Sequence, residues 1–600
     1  MYKEDCVVKR NDIDSKYKWK LEDLYSDDDL WERDFRELSE GVSEIEELKG
    51  TASASADSLM NLLVKFENFS KKFEKLFVYA RMRLDEDNGN AKYQDMAARA
   101  EFLLADFSAR TSFIEPELSS ISEEEINKFM SDNEALRLYE FDFKERLRRK
   151  KYVLSEKEER ILALAAETCN ASADAFRKFN NADIKFPCIK NEQGEKVQLT
   201  HGSYALFLDS KDRNVRKNAF KGIYSAYRAY QNTLASMYSG QVKSDCFVAS
   251  SRGYESCLVA SLDDDNIAAD VYNNLIDVVN ANIPALTKYL KLRKKALGVR
   301  SLHLYDLYTP MIEVPEKKYS FEEGWALVKE AIKPMGEEYC NIASRAFEEG
   351  WIDVYETEGK TTGAYAWGCY GNHPYILLNW QGTFDDVFTL AHELGHAMHT
   401  YYSNSAQPYN YAGYKIFVAE VASTVNENLL VEYLMNNTDD EKEKAYILNH
   451  YLEAFRLTII RQTMFAEFER DVHAMAEKGQ PLTCKVLCDT YYALNVKYFG
   501  AAANVDRDIE LEWSRIPHFY TPFYVYKYAT GFSAAVVLAG NILSGDSEKR
   551  ERYIDFLRSG GSDYPLEILK KAGVDLTSSE PVERAMKLFS EKIDQLGKYM

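Results

Sequence analysis

The chain has 600 residues, 46% hydrophobic and 28% charged, more than one hydrophobic core needs, so it describes a large folded body or several subdomains. Ninety-six acidic against 75 basic side chains give a formal charge of −21, which argues against nucleic acid and anionic membranes as partners. Only 28 glycines and 13 prolines, with 41 tyrosines and 31 phenylalanines, favour long helices around an aromatic interior over a turn-rich β architecture.

The opening MYKEDCVVKRNDIDSKYKWK lacks the apolar stretch of a secretory signal, and no later run approaches the ~20 apolar residues of a membrane helix. A cytoplasmic location is the expectation, and nine scattered cysteines fit reduced thiols better than a disulfide framework. From about residue 20 to 180 the pattern is helix after helix. Leu59, Leu62, Phe66, Phe69, Phe73, Leu76 and Ala80 recur every three or four residues, and Met96 to Phe113 reads the same way. Residues 186–200 break the pattern as a hairpin or loop around Gln193-Gly194, and helical signals resume at about Arg213. The division expected is a helical region over 1–200 and a second region over 201–600.

Asp263-Asp264-Asp265 reads as a solvated acidic turn, since it lacks the glycine and glutamate of a calcium loop. Residues 359–382, with Gly363, Gly368, Gly371 and the run Tyr375–Trp380, suggest two short strands. A helix then opens at Thr383, which stands three residues before Asp386 in the spacing of a capping box. Further helices are expected at about 416–436, 441–478, 481–498 and the C-terminus. Cys484 and Cys488 lie four apart without a second pair and read as buried thiols.

The chemistry concentrates at His392-Glu393-Leu394-Gly395-His396. Residues four apart share a helix face, so both imidazoles can reach one ion. Glu393 points to the side, where it can handle a proton on a water held by the metal. With nine histidines in the chain, such a match arises from composition alone with a probability on the order of one in a hundred. A catalytic zinc takes three protein ligands. Glu420, a lone carboxylate in the apolar run Phe417–Thr424, is the candidate third, because a buried acid is expensive unless a cation or donor meets it. Glu427, two turns further along that face, can hydrogen-bond a ligating histidine or stand in solvent. His399 is read as a core residue. Gly395 sits where a side chain would crowd a substrate or a neighbouring element.

These motifs, with GAYAWGCYGNHPYILLNWQGTFDDVFTLAHELGH and AEVAST over 363–427, together resemble the thimet oligopeptidase group of metallopeptidases. YKWKLEDLYSDDDLWERD near the start and PHFYTPFYVYKYATGFSAA near the end extend the resemblance over nearly the whole chain. It implies His392, His396 and Glu420 as ligands of one zinc, with Glu393 as general base. It also implies a mainly α fold whose two helical lobes flank a deep channel, with a small β-sheet beside the metal-binding helix. The activity implied is hydrolysis of internal bonds in short oligopeptides. The metal motif by itself serves exopeptidases equally, and a peptide-binding protein without catalysis is the alternative that Glu393 argues against.

Extra donors for the oxyanion are expected from 516–528. By the resemblance His518 approaches the substrate together with tyrosines, ranked Tyr526, then Tyr528 and Tyr524; apart from it, such a tyrosine cluster reads as core or interface. The segment from Gly363 through Tyr365 and Gly368 to Tyr370 is expected to pair with the substrate backbone as an added strand, or to be a structural hairpin, or both.

Overall fold

The computed structural model describes residues 8–312 and 317–600; Cys6 lies outside them. The chain is mainly helical, with one two-stranded and one three-stranded sheet among the described residues. It divides into two compact units that interleave along the sequence instead of meeting at one cut near residue 200. The first unit takes 1–151, 317–433 and 538–573, and the second takes 152–316, 434–537 and 574–600. No described helix is long and apolar enough to cross a membrane.

The first unit begins with three long helices, Asp28–Glu46, Ala56–Glu86 and Ala91–Thr111, whose first turns are capped by the side chains of Asp27, Ser55 and Asn90. The apolar stripe read from the sequence is their packing face. Leu59, Leu62, Phe69, Phe73, Leu76 and Ala80 are buried, Phe66 is half-buried, and the Phe69 ring stacks on Phe107 at 4.2 Å. This core continues into Cys369, Tyr375 and Leu377, so the N-terminal helices back the strands that precede the metal motif.

Those strands form the three-stranded sheet. The middle strand, Tyr375–Leu377, pairs parallel with Ile352–Asp353 and antiparallel with Tyr365–Trp367, in the register Ala366 opposite Ile376. Two of the three were expected; Ile352–Asp353 escapes periodicity because two buried residues carry no alternation. Its Asp353 is buried and satisfied by Lys360 and Arg10, each at 2.7 Å. The helix after the sheet runs from Phe384 to Ala406 and starts with the expected box: Asp386 N–H donates to Thr383 Oγ1 at 3.1 Å, and Thr383 N–H to Asp386 Oδ2 at 2.8 Å.

In the second unit, strands Cys188–Lys190 and Lys196–Gln198 form the expected hairpin, with Gly194 at a positive φ of 78° in its turn. The next helix, His201–Asp209, starts earlier than the sequence signal at Arg213, because Thr200 and Ser203 supply a capping box without a charged residue. The helical stretch expected over 441–478 is Glu441–Ala454 and Arg461–Glu477, joined by a π turn at Phe455–Ile460. The acidic turn is not solvated as a whole. Asp263 and Asp265 are buried, held by Tyr254 Oη at 2.9 Å and Lys527 Nζ at 2.7 Å, and only Asp264 is exposed. Cys484 and Cys488 are thiols with sulfurs 3.8 Å apart.

Candidate metal centre

The Phe384–Ala406 helix presents His392 and His396 on one face, and the long helix Ile416–Asn437 brings Glu420 to them. What lets the two helices approach is Gly395. A methyl group there would lie 2.5 Å from Ser423 Cα and 2.7 Å from Ala422 O, so the glycine serves contact with the neighbouring helix backbone. Asn426 fixes the same contact, donating from Nδ2 to the Ala391 carbonyl at 3.1 Å in a buried position.

Three donor atoms converge as a result. His392 Nε2 is 3.2 Å from His396 Nε2 and 3.4 Å from Glu420 Oε2, and His396 Nε2 is 3.6 Å from Glu420 Oε2. A four-coordinate ion with ligand distances of ~2.0–2.2 Å spaces its ligand atoms about 3.4 Å apart, so the triangle has the dimensions such an ion requires. Among the described residues this is the only cluster of three or more His, Cys, Asp or Glu side chains that could hold a metal.

The electrostatics point the same way. Burial alone would push the His392 imidazole down, but the bond to Glu427 and the charges of Glu427, Glu393 and Glu420 raise it to about 9. The bond to His396 holds Glu420 below the ordinary carboxylate range against the effect of burial. This is a place that stabilises positive charge. Glu427 Oε1 sits 2.5 Å from His392 Nδ1; of the two readings open for it in the sequence, the one beside a ligand is what the structure contains.

Glu393, 7% exposed, projects beside the triangle toward the strand Tyr365–Trp367. Burial raises its carboxyl above the usual range, while the Ala366 amide on that strand offers it a hydrogen bond. Its Oε2 is buried without a protein partner, a carboxylate oxygen left available for chemistry. The strand is an edge of the sheet, with Trp367 36% exposed. Of the residues expected to meet a peptide there, Gly363 has φ 87° and open space around it. A side chain at Gly368 would instead come within 3.0 Å of Pro374 Cα, so its lack of a side chain serves the turn. The Tyr365 phenol is tied to Asp85 Oδ2 at 2.7 Å, leaving its backbone as the part that faces the edge.

His399 lies one turn beyond the triangle, buried and stacked on Tyr414 at 3.7 Å, as a core residue.

In the second unit, the segment after residue 516 brings His518, Tyr524 and Tyr528 together. Tyr528 Oη is 3.5 Å from His518 Nε2, and the His518 and Tyr524 rings stack at 6.0 Å. Burial, and next the charge of Arg461, hold the His518 imidazole below its ordinary value. Tyr526 is set apart from this group: it is fully buried, with its ring 5.0 Å from Tyr272. Here the backbone turns through Phe523 at φ 54°, rare for an aromatic residue, and the Phe523 N–H donates to the buried Glu469 at 3.1 Å. Glu469 was missed in the sequence, where Glu467, Arg470 and Asp471 beside it give it the look of one charge on a solvated helix face.

The model of peptidase family M3 matches residues 206–588, and that of oligopeptidase F matches 117–186. The oligopeptidase PepF of Bacillus subtilis is 46% identical over 594 residues, 99% of this chain and 89% of that protein. Among solved structures, the oligoendopeptidase-F from Enterococcus faecium is 40% identical with a TM-score of 0.75, covering 95% of this chain and 99% of that one. A Chlamydophila abortus structure superposes with a TM-score of 0.92 at 36% identity, covering 99% of this chain and 100% of that one.

Proposed function

Because this chain belongs to peptidase family M3 and is a metallo-oligopeptidase, we propose that it is a zinc endopeptidase that hydrolyses internal bonds of short oligopeptides. The single observation that carries the metal assignment is the triangle of His392 Nε2, His396 Nε2 and Glu420 Oε2, with edges of 3.2, 3.4 and 3.6 Å. Two imidazoles and one carboxylate are the donor set of catalytic zinc, and three protein ligands leave a fourth position open. When bound, the ion would acidify a water molecule and polarise the scissile carbonyl.

The chain's own residues would do the rest. Glu427 holds the His392 ring so that Nε2 faces the other two donors. Glu393 receives the proton of the attacking water on its unpartnered Oε2 and passes it to the leaving amine, which a carboxyl raised by burial does more readily than an exposed one. The free edge of Tyr365–Trp367 offers main-chain groups to an extended peptide, a mode of binding that tolerates varied side chains. His518 and Tyr528, with Tyr524 behind them, are the proposed hydrogen-bond donors to the substrate oxygen. The eight cysteines among the described residues are free thiols, which supports work in a reducing cytoplasm.

The test is cleavage of a fluorogenic oligopeptide blocked at both ends, before and after chelation and zinc return. Activity that vanishes with chelator and returns with zinc is expected. An intact substrate in the presence of zinc-loaded protein would reject internal cleavage and leave an enzyme that needs a free terminus or a peptide-binding protein without turnover.

A further inference from the structure

The second unit encloses a cavity of about 40 Å³ whose lining includes Arg456, Arg461, Arg515, Glu512, Tyr204 and Tyr224. A single water needs ~10–15 Å³ by this measure, so the space suits a small ion with a water, and excludes a peptide terminus. Its walls carry unbalanced charge. Glu512 is 5% exposed and divides itself among three donors: Oε1 accepts from Arg461 at 2.8 Å and Arg515 at 3.4 Å, and Oε2 accepts from Tyr491 Oη at 2.5 Å. Glu453 is likewise shared, between the buried guanidiniums of Arg456 and Arg293. Three guanidiniums therefore line the cavity against the one carboxylate of Glu512, while Glu453, which Arg456 shares with Arg293, lies outside the lining. The nearby acid Asp306 offers no relief, because Arg213 and Arg216 already occupy it.

The donors are short of acceptors as well. A guanidinium carries five N–H groups. Arg515 makes one hydrogen bond among the described residues, the long one to Glu512, and its Nε–H is sealed from solvent without a partner. Arg461 also has only its bond to Glu512, with the Phe465 ring 4.4 Å below it. Burying a cation without a counter-charge is costly, and a buried donor without an acceptor adds to that. The two side chains retain 19% and 20% exposure, so an ion in solution can reach them.

We propose that this cavity binds a small monovalent inorganic anion of chloride size, held by Arg461 and Arg515. The ion supplies the charge and the acceptor that Glu512 divides too thinly to provide. Arg515 stands three residues before His518, so the ion would brace the start of the segment that carries His518 and Tyr528.

The test uses the intact zinc-loaded chain exchanged into sodium gluconate, with chloride added at constant ionic strength. The expected result is a rise in melting temperature that grows with the logarithm of chloride concentration and reaches about 2 °C at a hundredfold excess over its Kd. It should be absent in Arg461→Gln and Arg515→Gln. Should those variants fail to fold, bromide-soaked crystals of the unaltered protein decide, by an anomalous peak within hydrogen-bonding distance of both arginines. No bromide peak in the cavity, or a chloride-dependent shift that persists in the variants, overturns the proposal.

Discussion

His392 Nδ1 and Glu427 Oε1 lie 2.5 Å apart, a contact between residues 35 positions apart that joins the two helices of the metal centre. The bond fixes the imidazole so that Nε2 points at His396 and Glu420. A carboxylate in this place also makes the ring a stronger ligand. Glu427→Gln keeps a partner but loses the charge, and Glu427→Ala loses both. Zinc affinity, measured by competition with a chromophoric chelator, is expected to fall about 10–100-fold in the Ala variant, and less in the Gln variant. Equal affinity in all three proteins would remove Glu427 from the centre.

The approach of the helices rests on Gly395. A Cβ there would stand 2.5 Å from the backbone of Ser423, which cannot swing aside as a side chain can. Gly395→Ala should cost about 1–3 kcal/mol or more, and because separation of the helices moves Glu420 away from both histidines, zinc should be lost with it. Gly413→Ala is the control, since its position has φ −72° and nothing within 4 Å of an added Cβ. Melting temperature and zinc content should fall for the first variant and hold for the second.

Glu393 and Glu420 are separated by their roles. Glu393→Gln should retain zinc and lose about 10²–10⁴ in turnover, the range for removal of a general base. Glu420→Ala should lose zinc affinity first. Near-normal turnover in the Gln variant would overturn the assignment of the base.

How far the sequence reveals this centre depends on how local each feature is. His392, His396 and the Thr383 box are set by spacing within one helix, and the periodicity of 3.6 residues displays them directly. Glu420 shows because a charge inside an apolar run needs an explanation. Glu427 shows only as one of two readings, since its partner is 35 residues away and an exposed glutamate looks the same in the sequence. The strand Ile352–Asp353 and the buried state of Asp265 are hidden for a related reason: each depends on a partner supplied by distant chain, Tyr375–Leu377 for the one and Lys527 for the other. The interleaving of the two units is a property of such long-range contacts, so no local change of composition marks it.

His399 gives the fold a pH dependence of known sign. Burial, and to a lesser degree the charge of His396, lowers its imidazole to about 3, so it is neutral in the folded chain. Unfolded, it titrates at about 6.5. The unfolded state therefore binds one more proton between these values. Stability is fully present above pH 6.5 and declines as the pH falls toward 3, by up to about 1.4 kcal/mol per unit from this group. His399→Phe keeps a ring against Tyr414 and removes the proton. Its melting temperature should fall less steeply between pH 6.5 and 5 than that of the parent, and parallel slopes would mean that His399 takes no part.

The tyrosines after His518 divide by burial. Tyr526, which ranks first on resemblance, is fully enclosed against Tyr272, whereas Tyr528 keeps its hydroxyl 3.5 Å from His518 Nε2. A group that stabilises a developing oxyanion acts on kcat, and loss of one such donor costs about 10²–10³. Tyr528→Phe and His518→Phe should therefore lower kcat in that range with zinc content unchanged, and the double variant should lose less than the product of the two effects because the groups are coupled. Tyr526→Phe should leave kcat within a few-fold and shift only the melting temperature. If Tyr526→Phe instead abolished turnover while Tyr528→Phe did not, the segment would have to rearrange on binding substrate, with the Phe523 turn at φ 54° as the place where it would move.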